Sequence, residues 1–211
     1  MARAQVLWEA CQDLVRICEA HPFVRGIASG TLPRERFAFY IGQDAFFLEA
    51  FARAYALALA KAPDRDTMAA FRRLLDGVFE ELTLHRGYAA RWGVDLTPAP
   101  APTTRAYTDF LLRVAALEPV GHIVAAMTPC MRLYAHLGQT LRPHTHPESP
   151  YREWVETYAS DDFEALARQL EELFDRLPGE EEAQRILYRT AMELEVRFFD
   201  AAWGEENARS Q

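Results

Sequence analysis

Apolar residues along most of the chain recur at spacings of three and four, which places them on one face of an α-helix. No segment shows the strict two-residue alternation, bounded by turn residues, that is typical of a β-strand. The pattern predicts seven or eight helices, over residues 3–20, 34–61, 64–92, 103–117, 119–141, 150–158, 160–176 and 180–203.

Proline, glycine and capping residues separate these segments. Asp64 and Ser160 are predicted N-caps, because their side chains can accept hydrogen bonds from the first free N–H groups of a helix. The alternating Pro-Ala stretch at 98–102 is predicted to be a stiff connector, too short to divide two domains. We therefore expect one all-α domain over the whole chain, a helical bundle with its core at about 3–204 and a flexible tail at 205–211.

Composition and charge exclude several classes of partner. The chain has 31 acidic and 23 basic residues, a formal net charge of −8. Nucleic-acid binding draws on neutralising phosphates, so this balance argues against nucleic acid and against anionic membranes. No stretch is apolar for the length of a membrane span, and the N-terminus lacks the apolar core of a signal peptide. Three cysteines, an odd number without metal-type clustering, indicate the reducing cytoplasm.

In a helical bundle, a functional site is expected where ionisable residues fall on an apolar face. Asp44 lies at the centre of a stripe that includes Phe37, Tyr40 and Phe51. A carboxylate buried without a partner is very costly, so Asp44 needs one. It is either a satisfied core aspartate bonded to Tyr or Arg, or a functional carboxylate, and the helical wheel weighs the two evenly.

Glu195 is a second acidic residue on an apolar stripe, between Tyr188 and Phe198. Burial raises the pKa of a carboxyl group and suits it to proton transfer near neutral pH. The alternative is again a paired core acid.

Cys130 lies among apolar residues, where a cysteine is commonly a small packing side chain. Two neighbours favour a function instead. Pro129 precedes it in mid-helix, where proline removes a backbone hydrogen bond and kinks the helix, and Tyr134 lies one turn further on. Cys11 and Cys18 have no comparable surroundings and are predicted to serve packing.

The histidines give weaker signals. His144 and His146 resemble a pair of metal ligands, but the proline-rich stretch in which they lie predicts an exposed loop. Glu81 and His85, four residues apart on one helix, are predicted to form a surface or interface pair. His21 ends the first helix, where it can interact with the helix dipole, or alternatively serve as an axial haem ligand.

Several short stretches, taken in their order and spacing, resemble the TenA family, also called thiaminase II, over about residues 5–204. They include His21-Pro22-Phe23-Val24, Gly30-Thr31-Leu32, Gln43-Asp44, Phe46-Phe47-Leu48, Tyr107-Thr108-Asp109-Phe110, Thr128-Pro129-Cys130, Ser149-Pro150-Tyr151-Arg152-Glu153-Trp154 and Glu195-Val196-Arg197-Phe198-Phe199. The resemblance implies the haem-oxygenase-like all-α fold.

The resemblance also implies an activity, the hydrolysis of an aminopyrimidine at its exocyclic methylene carbon. The salvage substrate of such enzymes is 4-amino-5-aminomethyl-2-methylpyrimidine, released from degraded thiamin, and the products are hydroxymethylpyrimidine and ammonia. Cleavage of thiamin itself is a related reaction. No metal and no cofactor are implied, and family members are commonly homotetramers.

Matching position by position, the resemblance assigns roles to residues of this chain. Cys130 matches a nucleophile that adds to the pyrimidine ring, and something near it must lower the pKa of the thiol or take its proton. Glu195 matches a carboxylate that exchanges a proton with a ring nitrogen, and Asp44 matches the acceptor for the 4-amino group. The expected pocket residues are Phe47, Tyr107, Tyr134 and Tyr158.

Two departures from the family pattern leave substrate preference open. Position 47 is Phe where many relatives have Tyr, and position 199 is Phe where the family often has Trp. Two alternative functions also stay open: a haem- or cofactor-handling protein with His21 as ligand, and a regulatory protein. The net charge of −8 and the lack of a basic recognition helix argue against direct DNA contact.

Overall fold

The computed structural model describes residues 2–204, which form ten α-helices, one short 3-10 turn and no β-strand. The helices are α1 (Arg3–Ala10), α2 (Gln12–Ala20), α3 (Pro22–Ser29), α4 (Arg34–Ala60), α5 (Arg65–Trp92), α6 (Pro102–Leu117), α7 (Val120–Leu141), α8 (Arg152–Tyr158), α9 (Asp161–Arg176) and α10 (Glu181–Trp203).

The all-α prediction is confirmed, and the predicted bounds from residue 34 onward agree with the helices to within two residues. Both predicted N-caps are present. Asp64 Oδ1 accepts from the backbone N–H of Thr67 at 2.7 Å, and Ser160 Oγ accepts from that of Phe163 at 3.1 Å. These side chains satisfy N–H groups that have no partner inside their own helix.

The N-terminal region differs from the prediction. The predicted helix over 3–20 is two helices, because Cys11 leaves the helical conformation at φ −104° and ψ 14°. Helix α3 was not predicted. His21-Pro22 ends α2 but also begins α3: Pro22 occupies the first turn, where no N–H is needed, and His21 Nδ1 accepts from the backbone N–H of Phe23 at 3.1 Å.

One apolar cluster draws buried side chains from all ten helices. Helix α4 packs against α5 and α6, while α7 packs against α8, α9 and α10. None of the helices within residues 2–204 is long and apolar enough to cross a membrane. The division of the chain into a single domain stays a prediction, and the predicted tail at 205–211 lies outside the described residues.

The proline-rich connector between α5 and α6 crosses α4 beside the buried centre. Gln43 holds it with two hydrogen bonds, one to the carbonyl of Ala99 at 3.2 Å and one from the N–H of Ala101 at 2.8 Å. Gly42 permits the crossing, since a Cβ there would lie 2.7 Å from the carbonyl oxygen of Asp95. The connector is thereby fixed next to Asp44.

Candidate active site

Side chains from six helices converge on one interior region lined by aromatic rings. Ring contacts and hydrogen bonds link neighbouring members of the group directly. The structure therefore brings together all seven residues predicted from the sequence: Asp44, Phe47, Tyr107, Cys130, Tyr134, Tyr158 and Glu195.

Glu195 is the most deeply buried acid of the group, with 1% of its surface exposed. Tyr107 donates its hydroxyl hydrogen to Glu195 Oε1 at 2.7 Å, and the Cys130 thiol is also hydrogen-bonded to this carboxyl group. Burial raises the pKa of Glu195 to about 7, although both hydrogen bonds oppose the rise. Glu195 can therefore accept or release a proton near neutral pH.

Cys130 lies on α7 beside Glu195, and α7 runs without a break through Pro129. Burial raises the pKa of the thiol well above its ordinary value, and the neighbouring charges of Glu195, Glu81 and Asp44 raise it further. The thiol is thus neutral in the free protein. Of the two means of activation considered from the sequence, the surroundings favour proton removal, with Glu195 as the adjacent base.

Asp44 is paired with His85, a partner that the sequence did not predict. The Nδ1 atom of His85 lies 2.8 Å from the carbonyl oxygen of Glu81, and Nε2 lies 2.9 Å from Asp44 Oδ2. A carbonyl oxygen only accepts, so Nδ1 carries a hydrogen, and the contact at Nε2 then requires a second proton between imidazole and carboxylate. Placing His85 at the surface was wrong, since only 1% of it is exposed.

The charge state of His85 follows from its neighbours. Burial by itself lowers the pKa of the imidazole, but the hydrogen bond with Asp44 and the charges of Asp44 and Glu81 outweigh burial and raise the pKa to about 9. His85 and Asp44 therefore form an imidazolium–carboxylate ion pair at neutral pH. Within residues 2–204, Asp44 Oδ1 has no hydrogen-bond partner and can accept from a bound molecule.

Glu81 also belongs to this group, whereas the sequence predicted a surface or interface pair. Its Oε1 accepts the hydroxyl hydrogen of Tyr158, and burial together with the charge of Asp44 raises the pKa of its carboxyl group. A signal for both residues was present in the sequence. They continue the buried stripe of α5 at spacings of three and four, in the series Phe71, Leu74, Val78, Glu81, His85 and Tyr88.

Aromatic side chains form the walls around these polar groups. The ring of Phe47 lies 4.8 Å from that of Tyr107, and the ring of Tyr134 lies 4.8 Å from that of Tyr158, centroid to centroid. The rings of each pair contact one another, and aromatic surfaces of this kind suit packing against a flat heteroaromatic ligand.

Tyr40 and Trp154 support this wall and were not among the predicted site residues. The indole N–H of Trp154 donates to the Tyr40 hydroxyl at 3.3 Å, which donates to the Tyr134 hydroxyl at 3.3 Å. This chain of hydrogen bonds orients Tyr134. A wheel places Tyr40 on the stripe of Asp44 but does not show which hydroxyl it reaches.

The remaining histidines do not join the group. One ring nitrogen of His21 accepts from the N–H of Phe23, and the other is hydrogen-bonded to Asp200 Oδ1 at 3.3 Å. These contacts favour the role of a helix cap over that of a haem ligand. His144 and His146 are both exposed, as predicted, but only His146 lies in a loop, because His144 ends the 3-10 turn Arg142–His144. The described part of the chain holds no group of three or more His, Cys, Asp or Glu placed to bind a metal ion.

A model of the TENA/THI-4/PQQC family matches residues 6–205. The chain belongs to the TENA/THI-4/PQQC family. Among relatives of this TENA/THI-4/PQQC protein, an aminopyrimidine aminohydrolase of Halalkalibacterium halodurans is 36% identical over 215 residues, which cover 96% of this chain and 93% of that protein.

Solved structures agree with this assignment. A TenA family transcription regulator from a Silicibacter species superposes on the TENA/THI-4/PQQC protein with a TM-score of 0.89 at 28% identity, covering 96% of each chain. A domain of unknown function with a haem oxygenase-like fold from Shewanella denitrificans gives a TM-score of 0.74 at 14% identity, over 100% of this chain and 96% of that one. The second likeness concerns the fold alone and confirms the predicted fold class.

Proposed function

We propose that this protein is an aminopyrimidine aminohydrolase of the thiaminase II type. Its substrate is 4-amino-5-aminomethyl-2-methylpyrimidine, and its products are the hydroxymethylpyrimidine used in thiamin salvage and ammonia. The observation that carries the proposal is the buried Glu195 carboxyl group, which accepts from Tyr107 and interacts with the Cys130 thiol among aromatic rings. The aminohydrolase relative supports the same assignment.

In the first half of the proposed reaction, Glu195 takes the thiol proton of Cys130 and passes it to the ring nitrogen next to the carbon under attack. The sulfur bonds to that carbon, which adjoins the carbon bearing the aminomethyl group. The lone pair of the 4-amino group then moves into the ring, an exocyclic C=C bond forms, and the C–N bond of the protonated aminomethyl group breaks with its electron pair leaving on ammonia. Asp44 accepts from the 4-amino group and stabilises the positive charge developing there.

In the second half, a water molecule adds its oxygen to the exocyclic methylene carbon. The electron pair returns to the 4-amino nitrogen, and the proton lost by water leaves with ammonia as ammonium. The S–C bond then breaks, and the ring-nitrogen proton returns to the thiolate through Glu195. A carboxyl group with a pKa near 7 suits both directions of this transfer, because the proton moves with little driving force either way.

The pocket residues have matching roles in this proposal. Phe47 and Tyr107 hold one side of the flat ring, and Tyr134 and Tyr158 hold the other. Because Phe47 supplies no hydroxyl, the ring is held there by stacking alone.

We further propose that the protein acts in the cytoplasm as a homotetramer, without nucleic-acid or membrane partners. The family assignment supports the tetramer, and the net charge of −8 argues against a nucleic-acid partner. Large apolar side chains such as Phe39 and Phe79 are 39% and 56% exposed, and they supply surface for contacts between subunits. Light scattering of the purified protein tests this assembly.

Ammonia release from a substrate panel tests the activity. The panel contains the aminomethylpyrimidine, its N-formyl derivative and thiamin. We expect turnover of the aminomethylpyrimidine by the wild-type protein and loss of it in Cys130→Ala and Glu195→Gln. Cys11→Ala is the matched control, because this buried cysteine between α1 and α2 has Asp13, Arg189 and Glu193 as its charged neighbours and none of the pocket residues. Full activity in either pocket variant would refute the mechanism.

A further inference from the structure

Glu81 is the one acid of the pocket that also reaches the protein surface. Its side chain is half-buried, whereas Asp44 and Glu195 are 5% and 1% exposed. It lines a surface groove of about 320 Å³ together with Met131, Thr157 and Phe163. The Tyr158 hydroxyl donates to its carboxylate and fixes it toward the interior. Glu81 thus lies between the buried pocket and the surface groove.

The order of groups around the pocket matches the order of groups around the proposed substrate ring. In the pocket, Glu195 is next to Cys130. In the substrate, the ring nitrogen that Glu195 protonates is likewise next to the carbon that Cys130 attacks. Asp44 serves the 4-amino group, two ring carbons from the point of attack. The carbon bearing the aminomethyl group lies between these two, and the charge of Glu81 acts on both Cys130 and the Asp44–His85 pair.

His85 links Asp44 to the turn of α5 that carries Glu81. One ring nitrogen contacts the backbone carbonyl of Glu81 at 2.8 Å, and the other contacts Asp44 at 2.9 Å. The substrate likewise carries two neighbouring nitrogen substituents, the 4-amino group and the aminomethyl group. Asp44 and Glu81, whose charges act on each other, are the two carboxylates that we match with these two donors.

The acids of the pocket outnumber its bases. Asp44, Glu81 and Glu195 are three acids, and His85 is the one base among the described residues that acts on Glu81 or Glu195. No Arg or Lys in the described chain contributes to the pKa of either glutamate. An aliphatic amine is protonated at neutral pH, so the substrate itself brings a positive charge that favours the ionised form of a nearby glutamate.

We infer that Glu81 binds the ammonium group that is expelled from the substrate, and that this contact selects substrates whose leaving group is cationic. The inference rests on the proposed function. Holding the group protonated lets it leave as neutral ammonia when the C–N bond breaks, and the adjoining groove receives it. Glu81 is by this account a substrate-binding residue, and Tyr158 positions it.

The test compares a cationic and a neutral ligand of nearly equal shape in Glu81→Gln. The cationic ligand is the aminomethylpyrimidine, for which kcat/KM is measured. The neutral ligand is the hydroxymethyl product, for which the inhibition constant is measured. We expect kcat/KM for the amine to fall by at least about tenfold, since a partly buried charge pair loses one partner. The inhibition constant of the product should stay within about twofold, because it carries no charge for Glu81 to bind.

Two further variants separate binding from structure. Glu81→Asp keeps the charge and should retain more of the activity toward the amine than Glu81→Gln does. Asp76→Asn removes an exposed carboxylate from the same helix and should leave both constants unchanged. Equal weakening of both ligands in Glu81→Gln, or an unchanged kcat/KM for the amine, would overturn the inference. A wild-type protein that released no ammonia would instead overturn the proposed function.

Discussion

The Nε2 atom of His85 lies 2.9 Å from Oδ2 of Asp44, and the two side chains are 2% and 6% exposed. They come from α5 and α4, so the contact joins two helices in the middle of the bundle. A buried ion pair of this kind is held in one geometry, because each charge would be costly to bury alone.

Replacing His85 therefore leaves an uncompensated carboxylate at Asp44. We expect His85→Gln to lower the free energy of unfolding by about 3–5 kcal/mol, as when one partner of a buried pair is removed. Urea unfolding measures this loss. His146→Gln is the control, because His146 is exposed and its replacement should change stability by less than about 0.5 kcal/mol. Equal stability of the two variants would contradict a buried ion pair.

The same pair predicts a dependence of stability on pH. The pKa of His85 is 6.5 in an unperturbed chain and about 9 in the folded protein, so the folded state binds the proton more tightly. The stabilisation is fully present below pH 6.5 and is lost as the pH rises through about 9. The difference in unfolding free energy between wild type and His85→Gln, measured from pH 6 to pH 10, should shrink with rising pH. A constant difference would argue against the raised pKa.

Tyr107→Phe removes a hydrogen bond that favours the ionised form of Glu195. Without it, the pKa of Glu195 should rise above its value of about 7, and the carboxylate needed to accept the thiol proton should form only at higher pH. We expect the rising limb of the kcat/KM profile to move to higher pH.

Tyr188→Phe is the control for this experiment. The hydroxyl of Tyr188 is buried and has no hydrogen-bond partner within residues 2–204, so its removal breaks no contact. Its pH profile should overlay that of the wild type. A profile of Tyr107→Phe that also overlays the wild type would show that Glu195 does not limit the rate.

Cys130 should react slowly with alkylating reagents in the free protein. Burial and the neighbouring carboxylates raise the pKa of its thiol, so little thiolate is present at pH 7.5. We expect iodoacetamide to modify it more slowly than free cysteine, as followed by mass spectrometry of its peptide. In concentrated urea the two rates should become similar. Rapid modification of the folded protein would mean that the resting thiol is already ionised.

Gly138 sets the distance between α7 and α8. A Cβ at this position would overlap the backbone of Tyr158 and Ala159, which cannot move without shifting the Tyr158 ring. Gly138→Ala is expected to destabilise the protein by about 1–3 kcal/mol and to lower kcat/KM.

Gly87 gives the matched comparison within α5. Nothing lies within 4 Å of a Cβ added there, so Gly87→Ala should stabilise the protein by up to about 1 kcal/mol through helix propensity alone. Thermal unfolding of the two variants measures both effects. If both variants were destabilised equally, close packing at Gly138 could not be the cause.

The helices from α4 onward were predictable from the sequence because long apolar periodicity is a strong local signal. The break at Cys11 was not, since the residues on either side continue the same helical pattern. Helix α3 was missed for another reason: a histidine followed by proline was taken only as a helix end, although proline is equally compatible with a first turn.

The pocket was predicted in part. Asp44, Cys130 and Glu195 stand out because each interrupts an apolar stripe on its own helix. Glu81 and His85 interrupt the stripe of α5 in the same way, but a spacing of four between an acid and a histidine is also typical of exposed pairs. Which carboxylate meets which base depends on contacts between helices, and a wheel drawn for one helix does not contain them.

The convergence of three acids in an aromatic interior also limits how this protein can change. Asp44 is paired with His85, but Glu195 has no basic partner among the described residues and is harder to bury than the glutamine that would replace it. Laboratory selection for heat resistance alone would therefore favour replacement of this buried carboxylate. Directed evolution of this chain therefore needs a screen for turnover at every round, because its most robust descendants are expected to be inert.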